Sequence, residues 1–361
     1  MELKDKNLYF VGGVVRDEIL GKPSFDIDYC YEGDAIEFSK GLSVIRTNPD
    51  FGTVRVLIDN KEVDIASTRQ EFYPKAGHLP VVENIGCSLK DDLSRRDFTI
   101  NAMAKNTLTG ELVDYFSGLD DIKNRKLRVL HDKSFVDDPT RIIRALKFSV
   151  RFGFDLDSKT KKLQDDYLAN INYDMSYYRL KKELKETFDL NEDLALERFI
   201  KDGIYKLLGD SQCAVLPQNS ISKLVEKYAP KNIWLVYLVA YNLEKIELTV
   251  EEDSIIKDYE SIKNLTPDSD YEIFKLFKGK TLEAVIAYAC YINYNIAIKY
   301  LDNLKNIKVT VTGDDLVKLG IPQGKIYKEI FNDLEKEKVL NPLMTYEEEI
   351  AYIKFKYHLF I

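Results

Sequence analysis

The sequence predicts an α+β protein, with an N-terminal α/β head on a small mixed sheet followed by an all-α neck, body and tail. Three observations predict it. Short β-rich runs alternate with helical stretches over roughly the first hundred residues, and from Asp138 onward apolar residues recur at helical spacing nearly to the end. The 361 residues also exceed one comfortable core, because single cores stop growing at roughly 250 to 300 residues. The pattern divides the chain into a head over 1–118, a neck over 119–190, a body over 191–270 and a tail over 271–361.

Within the head, NLYFVGG reads as a strand ending in a glycine turn, and VVRDEILG as a helix stopped by Gly21. FDIDYCY reads as a second strand with its aspartates on one face, and GDAIEFSKGL as a helix. Strands follow around SVIRT, GTVRVLI and KEVDIAS, the last two divided by the turn signal Asp59-Asn60. A small mixed sheet with helices against one face satisfies these signals. Residues 68–94 carry Pro74, Gly77, Pro80 and Gly86 with little periodicity and read as a long loop, which in a compact domain is usually functional. DPTRIIRALKFSVRFGF, SYYRLKKELKETFDL and LALERFIKDGIYKLL then read as helices.

Composition narrows the function. Hydrophobic residues make up 45% and charged residues 31%, an ordinary globular balance. No apolar run approaches the ~20 residues that span a bilayer, and the N-terminus lacks a signal-peptide layout, so a cytoplasmic protein without a membrane or obligate protein partner is expected. The four cysteines form no CxxC pair, and the isolated pair His131-Asp132 lacks the further ligands a metal phosphohydrolase needs. A net charge of −8 argues against coating nucleic acid non-specifically but leaves room for a local basic groove.

The residues that carry chemistry begin with Gly12-Gly13. Glycines between a strand and a helix let backbone N–H groups approach a phosphate, and Arg16 is placed to meet the same anion. Asp26 and Asp28, two apart on a strand, project from one face where hard cations bridge them, and Asp64 is the best candidate for a third carboxylate on the neighbouring strand. Two such metals stabilise both the attacking and the leaving oxygen of an in-line displacement. Alone, a DxD pair is often a solvated strand edge and a glycine pair only a turn; their order and spacing change that judgement. Arg95-Arg96-Asp97 offers cations for phosphates and a carboxylate for a ribose hydroxyl, with Asn101 on the same face if the run is helical. Asp138 and Arg141, flanking Pro139 at a helix start, share a face. A carboxylate beside a guanidinium matches the donor–acceptor edge that cytosine and adenine share, although an i,i+3 salt bridge capping a helix is the bland alternative. Arg144 and Lys147 lie one turn further on, within reach of a triphosphate.

GGVVRD with FDID, RRDFTINAMA, DYFSGLDDIKNRKLRVL, DDPTRIIRALKF and SYYRLKKEL, in that order, resemble the class II tRNA nucleotidyltransferase and bacterial poly(A) polymerase family, within the DNA polymerase beta-like nucleotidyltransferases. TGDDLVKLGIPQGKIYKEIFNDL resembles the tail of its CCA-adding members. The resemblance implies a magnesium-dependent enzyme adding CCA from CTP and ATP to the tRNA 3′ acceptor end, with Asp97 and Asn101 telling ribose from deoxyribose and Asp138 with Arg141 as the template for base choice. Where Lys147 stands the family more often has arginine, which keeps a bidentate fork that lysine lacks. The full-length stretch between Thr68 and Ser94 implies that terminal adenosine addition is possible. Enzymes that add only A, or that polyadenylate, share all these motifs, so those readings stay open.

Overall fold

The structure is a computed structural model that describes residues 3–23 and 27–360. The chain forms two compact units, Met1–Ala214 with Glu244–Glu247, and Val215–Leu243 with Leu248–Ile361.

The first unit opens with β1 (Leu8–Val11), α1 (Gly13–Ile19), β2 (Asp28–Tyr31) and α2 (Ala35–Phe38), then β3 (Ser43–Asn48), β4 (Thr53–Ile58) and β5 (Lys61–Ser67). β4 and β5 are joined by a two-residue turn in which Asp59 and Asn60 both take positive φ, 48° and 62°, the geometry that matches strand twist in a tight hairpin. After β6 (Arg69–Phe72), β7 (Val81–Ile85) and α3 (Leu89–Ser94), the sheet is completed by β8 (Ala104–Asn106) and β9 (Leu112–Val113). Its seven strands run in the order β3-β4-β5-β2-β1-β8-β9, with β2 and β5 parallel and the other pairs antiparallel. Period-two alternation assigns the two faces. Leu8, Tyr29, Val54, Val56, Val63 and Ile65 pack one face beneath α2, with Phe38 against the cluster. The opposite face buries Val11 and Cys30 with Leu89 and Leu93 of α3, and it also presents Asp28 and Asp64.

Two expectations are corrected here. Residues 68–94 are not a structureless loop: β6 and β7 pair antiparallel as a separate two-stranded sheet, and Ser88 caps α3 by accepting from the Asp91 N–H. Pro74, Gly77 and Pro80 sit between the strands, and their turn chemistry obscured the short runs RQEF and VVENI on either side. Nor is the stretch after Asp97 an α-helix. Phe98 is extended (φ −131°, ψ 153°), and only one 3-10 turn, Thr99–Asn101, precedes β8. The fully buried Phe98 and Ile100 are held there by packing, which overrides helix propensity.

The rest of this unit is helical: α4 (Gly118–Lys123), α5 (Ser134–Asp137), α6 (Thr140–Phe152), α7 (Ser158–Ala169), α8 (Tyr177–Phe188) and α9 (Asp193–Lys201). α6 buries Ile142, Ile143, Ala145 and Leu146 along one stripe and packs against α8, which buries Leu180, Leu184 and Phe188. In the second unit the helices Ile233–Leu238, Asp270–Phe277 and Leu282–Tyr291 bury Trp234, Tyr237, Phe277 and Tyr288 completely. Its C-terminal helices Lys325–Leu340 and Tyr346–Lys356 share a core of Leu316, Ile330, Leu334 and Ile353. There a buried Lys338 Nζ–Glu349 Oε1 pair (2.7 Å) is completed by the Thr310 and Val311 N–H groups donating to Glu349. No helix of the described residues is long and apolar enough to cross a membrane.

Candidate active site

Register across the sheet puts four charged residues in one row. Asp28 of β2 lies opposite Asp64 of β5, Asp64 opposite Arg55 of β4, and Arg55 opposite Arg46 of β3. Residues directly opposite on neighbouring strands project from the same face. Arg55 grips Asp64 with two parallel bonds, Nε to Oδ1 and Nη2 to Oδ2, both 2.7 Å, and its third nitrogen donates to Glu62 Oε2 at 3.3 Å. The bidentate fork fixes the plane of the Asp64 carboxylate and raises the pKa of Arg55 through that hydrogen bond and charge. Asp26 lies outside the described residues. Among the described residues no group of three or more His, Cys, Asp or Glu side chains is disposed to hold a metal ion. Asp28 and Asp64 are in register and carry carboxylate oxygens of the kind hard cations take, with both Asp64 oxygens held by Arg55.

Beside this row opens a cavity of about 710 Å³. Gly12, Gly13 and Asp28 line its sheet side, α6 and α8 the other. Gly12 has φ +69°, the left-handed conformation that favours glycine, and a Cβ there would lie 3.0 Å from Arg96 Nη1. Nine cationic side chains line the cavity against six carboxylates, an excess of positive charge in a chain whose net charge is −8. Such a cleft selects an anion.

Its cations are held by buried acids. The fully buried Asp92 accepts from Arg95 Nη2 (2.7 Å) and Arg96 Nη2 (3.1 Å), while Glu71 pairs with Arg69 (2.7 Å) and Arg95 (3.1 Å). Arg96 keeps its buried Nε without a partner. Asp97 Oδ1 accepts from the Phe98 N–H (2.8 Å) and Asn101 Nδ2 (2.9 Å), and Oδ2 from Arg144 Nε (2.8 Å). Burial pushes the Asp97 carboxyl up, but the Arg144 charge, the Asn101 amide and Arg141 reverse this and hold it at about 2. The expected Asp97–Asn101 contact therefore forms across an extended residue and a 3-10 turn. Arg16 is deeply engaged: Nε donates to Asp17 Oδ1 (2.8 Å), Nη1 to Asn101, and the guanidinium lies over the Phe148 and Phe152 rings. It lines the cavity with its charge already neutralised by Asp17.

At the head of α6, Asp138 Oδ1 accepts from the Thr140 N–H (3.1 Å) and Oγ1 (2.6 Å). Arg141 donates to Ser134 Oγ (2.7 Å) and the Arg95 carbonyl (3.0 Å), while its Nε is unpartnered and lies 3.9 Å from Asp138 Oδ2, too far for a hydrogen bond. Asp138 makes its short ion pair with Arg179 of α8, and only a long one with Arg141. Arg144 and Lys147 do not stand free either: Glu183 accepts from both (2.9 and 2.7 Å), and Glu186 from Lys147 (2.6 Å). Sequence reasoning missed Arg179, Glu183, Glu71 and Asp92. For the first two a signal existed, since Arg179 and Glu183 are four apart on one face of an amphipathic helix beside the buried Leu180 and Leu184.

Residues 8–128 match the Poly A polymerase head domain. The A-adding tRNA nucleotidyltransferase of Aquifex aeolicus is 48% identical over 163 residues, 43% of this chain and 20% of that protein, so the chain spans a fifth of that relative's length. The CCA-adding enzyme of Lactobacillus helveticus is 30% identical over 74% of this chain and 71% of its own length. The chain belongs to the class II tRNA nucleotidyltransferase family. That family consists of nucleotidyltransferases, which generally use a divalent metal. The Halalkalibacterium halodurans A-adding tRNA nucleotidyltransferase is 28% identical over 96% of this chain and 88% of that protein. Among solved structures, a CCA-adding enzyme complex with ATP has TM-score 0.76 at 26% identity, covering 98% of this chain and 91% of that one. The complex with CTP has TM-score 0.75 at 27% identity, with 96% and 88% covered. The Thermotoga maritima CCA-adding enzyme complexed with tRNA has TM-score 0.73 at 26% identity, with 96% and 91% covered.

Proposed function

We propose that this nucleotidyltransferase rebuilds the tRNA 3′-CCA end, taking cytidylate from CTP and adenylate from ATP. The observation that carries the reading is the pairing of one cavity's two ends: Asp28, in register with Asp64 of the neighbouring strand, at one, and Asp138 with the unpartnered Arg141 Nε at the other. The acceptor 3′-oxygen attacks the α-phosphorus, the bond to the β-phosphate's bridging oxygen breaks, and pyrophosphate leaves. Mg2+ bound to Asp26 and Asp28 would supply positive charge at the phosphorus where negative charge develops. Asp64, its plane set by Arg55, faces the acceptor hydroxyl. Asp97 and Asn101 hold the ribose hydroxyls, and Gly12, Gly13, Arg16, Arg96, Arg144 and Lys147 line the path of the triphosphate. A base presenting an amino donor beside a ring-nitrogen acceptor satisfies Asp138 and the Arg141 Nε together; uracil and guanine present the reverse order, setting acceptor against carboxylate and donor against guanidinium. On this reading 1–118 performs the chemistry, 119–190 chooses the nucleotide, and 271–361 holds the tRNA beyond a body at 191–270, in the cytoplasm where tRNA is used.

Addition of the terminal A alone is the second reading, favoured by the high identity to the Aquifex A-adding enzyme. Incubating the protein with Mg2+, labelled CTP or ATP, and tRNAs ending before the first C, the second C or the A separates them. Incorporation on all three acceptors supports CCA addition, and labelling of the last alone supports A addition. Long homopolymer tails would instead make it a poly(A) polymerase.

A further inference from the structure

A second cavity, of about 430 Å³, adjoins the first and shares Asp28 and Arg96 with it. Its walls are the far half of the charged row, Asp64, Arg55 and Arg46, with Asn48 and Thr53 beside them. Its three cationic residues differ in their state, and Arg96 is ion-paired with Asp92. Arg55 is saturated, with all its nitrogens given to Asp64 and Glu62. Arg46, exposed on the edge strand β3, has no ion pair among the described residues, yet it lines the cavity. Edge strands do carry charges simply to discourage pairing with other chains. Such a charge has no reason to sit in register with two carboxylates of a reaction centre.

Resting on the function proposed above, we infer that this second cavity seats the terminal nucleotide of the RNA acceptor, with Arg46 receiving the phosphodiester on that nucleotide's 5′ side. The stereochemistry of in-line transfer requires it to lie apart from the triphosphate. Pyrophosphate departs into the cation-rich first cavity, so the attacking hydroxyl must arrive from the opposite side of Asp28, where the second cavity lies. Asp64 and Arg46 are two strands apart, about 10 Å at ordinary strand spacing with Arg55 in the row between them, so a ribose lying over Arg55 spans from a carboxylate-facing hydroxyl to a guanidinium-bound phosphate. The chain enters from the sheet edge, where β3 leaves the site open to solvent. Arg46 is thus a positioning residue: it holds the acceptor and touches neither the incoming nucleotide nor the breaking bond.

The test uses the full-length protein, Mg2+, ATP and a tRNA ending before its terminal A, prepared with either the natural phosphodiester or a neutral methylphosphonate between its last two nucleotides. With wild-type protein the methylphosphonate should lower kcat/KM for the acceptor about tenfold, the ordinary value of a charge-assisted contact. R46A should show the same loss on the natural acceptor, no further loss on the methylphosphonate, and an unchanged KM for ATP; R46K should recover part of the activity. Arg46 is exposed, so folding should be intact by thermal melting. Equal losses by R46A on both acceptors, no loss on either, or a raised KM for ATP would overturn the inference while leaving the proposed function standing. A wild-type protein that extends no acceptor at all overturns both.

Discussion

Asp97 is the residue on which the site's geometry converges, since it joins the Arg144 guanidinium of α6 to the turn that carries Asn101. Its carboxyl is held at about 2, against about 3.9 in an unfolded chain, so the folded state binds fewer protons between those values. The resulting stabilisation, about 2 kcal/mol, is fully present above roughly pH 4 and is lost as pH falls toward 2. Urea unfolding at a series of pH values should therefore show wild type more stable than D97N at pH 6, with the gap closing on acidification; a gap independent of pH would contradict the ion pair. Glu183 makes a second case. It is buried between Arg144 and Lys147, and E183A leaves both cations without their shared acceptor, at a cost of about 3 kcal/mol. Pyrophosphate should raise the melting temperature of E183A more than that of wild type, because an anion in the cavity replaces the missing carboxylate. Base choice is argued at this scale too. Replacing Arg141 by lysine keeps the charge and removes the fork, so discrimination of CTP and ATP against UTP and GTP should fall ten- to a hundredfold, about 1 to 3 kcal/mol, in competitive incorporation.

The element that departs most from sequence expectation is the 68–94 segment. Its span between Phe72 and Val81 is pinned at Gly77, whose N–H donates to the Asp137 carbonyl (3.0 Å) and whose carbonyl accepts from the Ser176 N–H (2.9 Å). Lys75 and His78 both reach Asp174, at 2.8 and 3.1 Å. Gly77 stands at φ +78°, and a Cβ there would sit 3.0 Å from the Met175 Cβ and 3.2 Å from the Asp174 carbonyl. G77A should thus cost about 1 to 2 kcal/mol of local stability, read as faster amide hydrogen exchange at residues 75–78 with the sheet amides unchanged. Unchanged exchange would show the pin to be weak. The five strands from β1 to β5 were legible because alternation and turn residues survive in one sequence window: Asp59-Asn60 announces its hairpin, and KEVDIAS alternates cleanly. β6 and β7 were not, because their partners lie across an intervening stretch rich in turn residues and the pairing is a non-local fact. The same limit hid Arg179. Its partner Asp138 is forty-one residues away, and only the packing of α6 on α8 brings them together.

Charge over the whole molecule separates what composition says from what the site does. The net charge of −8 says nothing of where the cations stand, and the cavity's nine cations became visible only when the head and neck segments folded together. Those cations are, with few exceptions, already paired with carboxylates. The same holds in the second unit, where Lys227 pairs with Asp302, Lys278 with Glu335, Lys299 with Asp270 and Lys356 with Asp333. A cation that must leave a carboxylate to meet a phosphate releases no net counterion from the RNA, since the freed carboxylate gathers a cation of its own. The salt dependence of tRNA binding should therefore be shallow: a slope of log association constant against log salt of roughly −2 to −4, where proteins making six to ten unpaired phosphate contacts lose about 10³ to 10⁵ in affinity between 50 and 200 mM salt. Fluorescence anisotropy with labelled tRNA over that range measures it directly. In R46A the slope should become shallower by about 0.7, the share of one single-strand phosphate, because Arg46 meets RNA without first leaving a carboxylate. A wild-type slope steeper than about −6 would mean that tRNA is held mainly by an extended cationic surface, and that the paired lysines of the second unit open to form it.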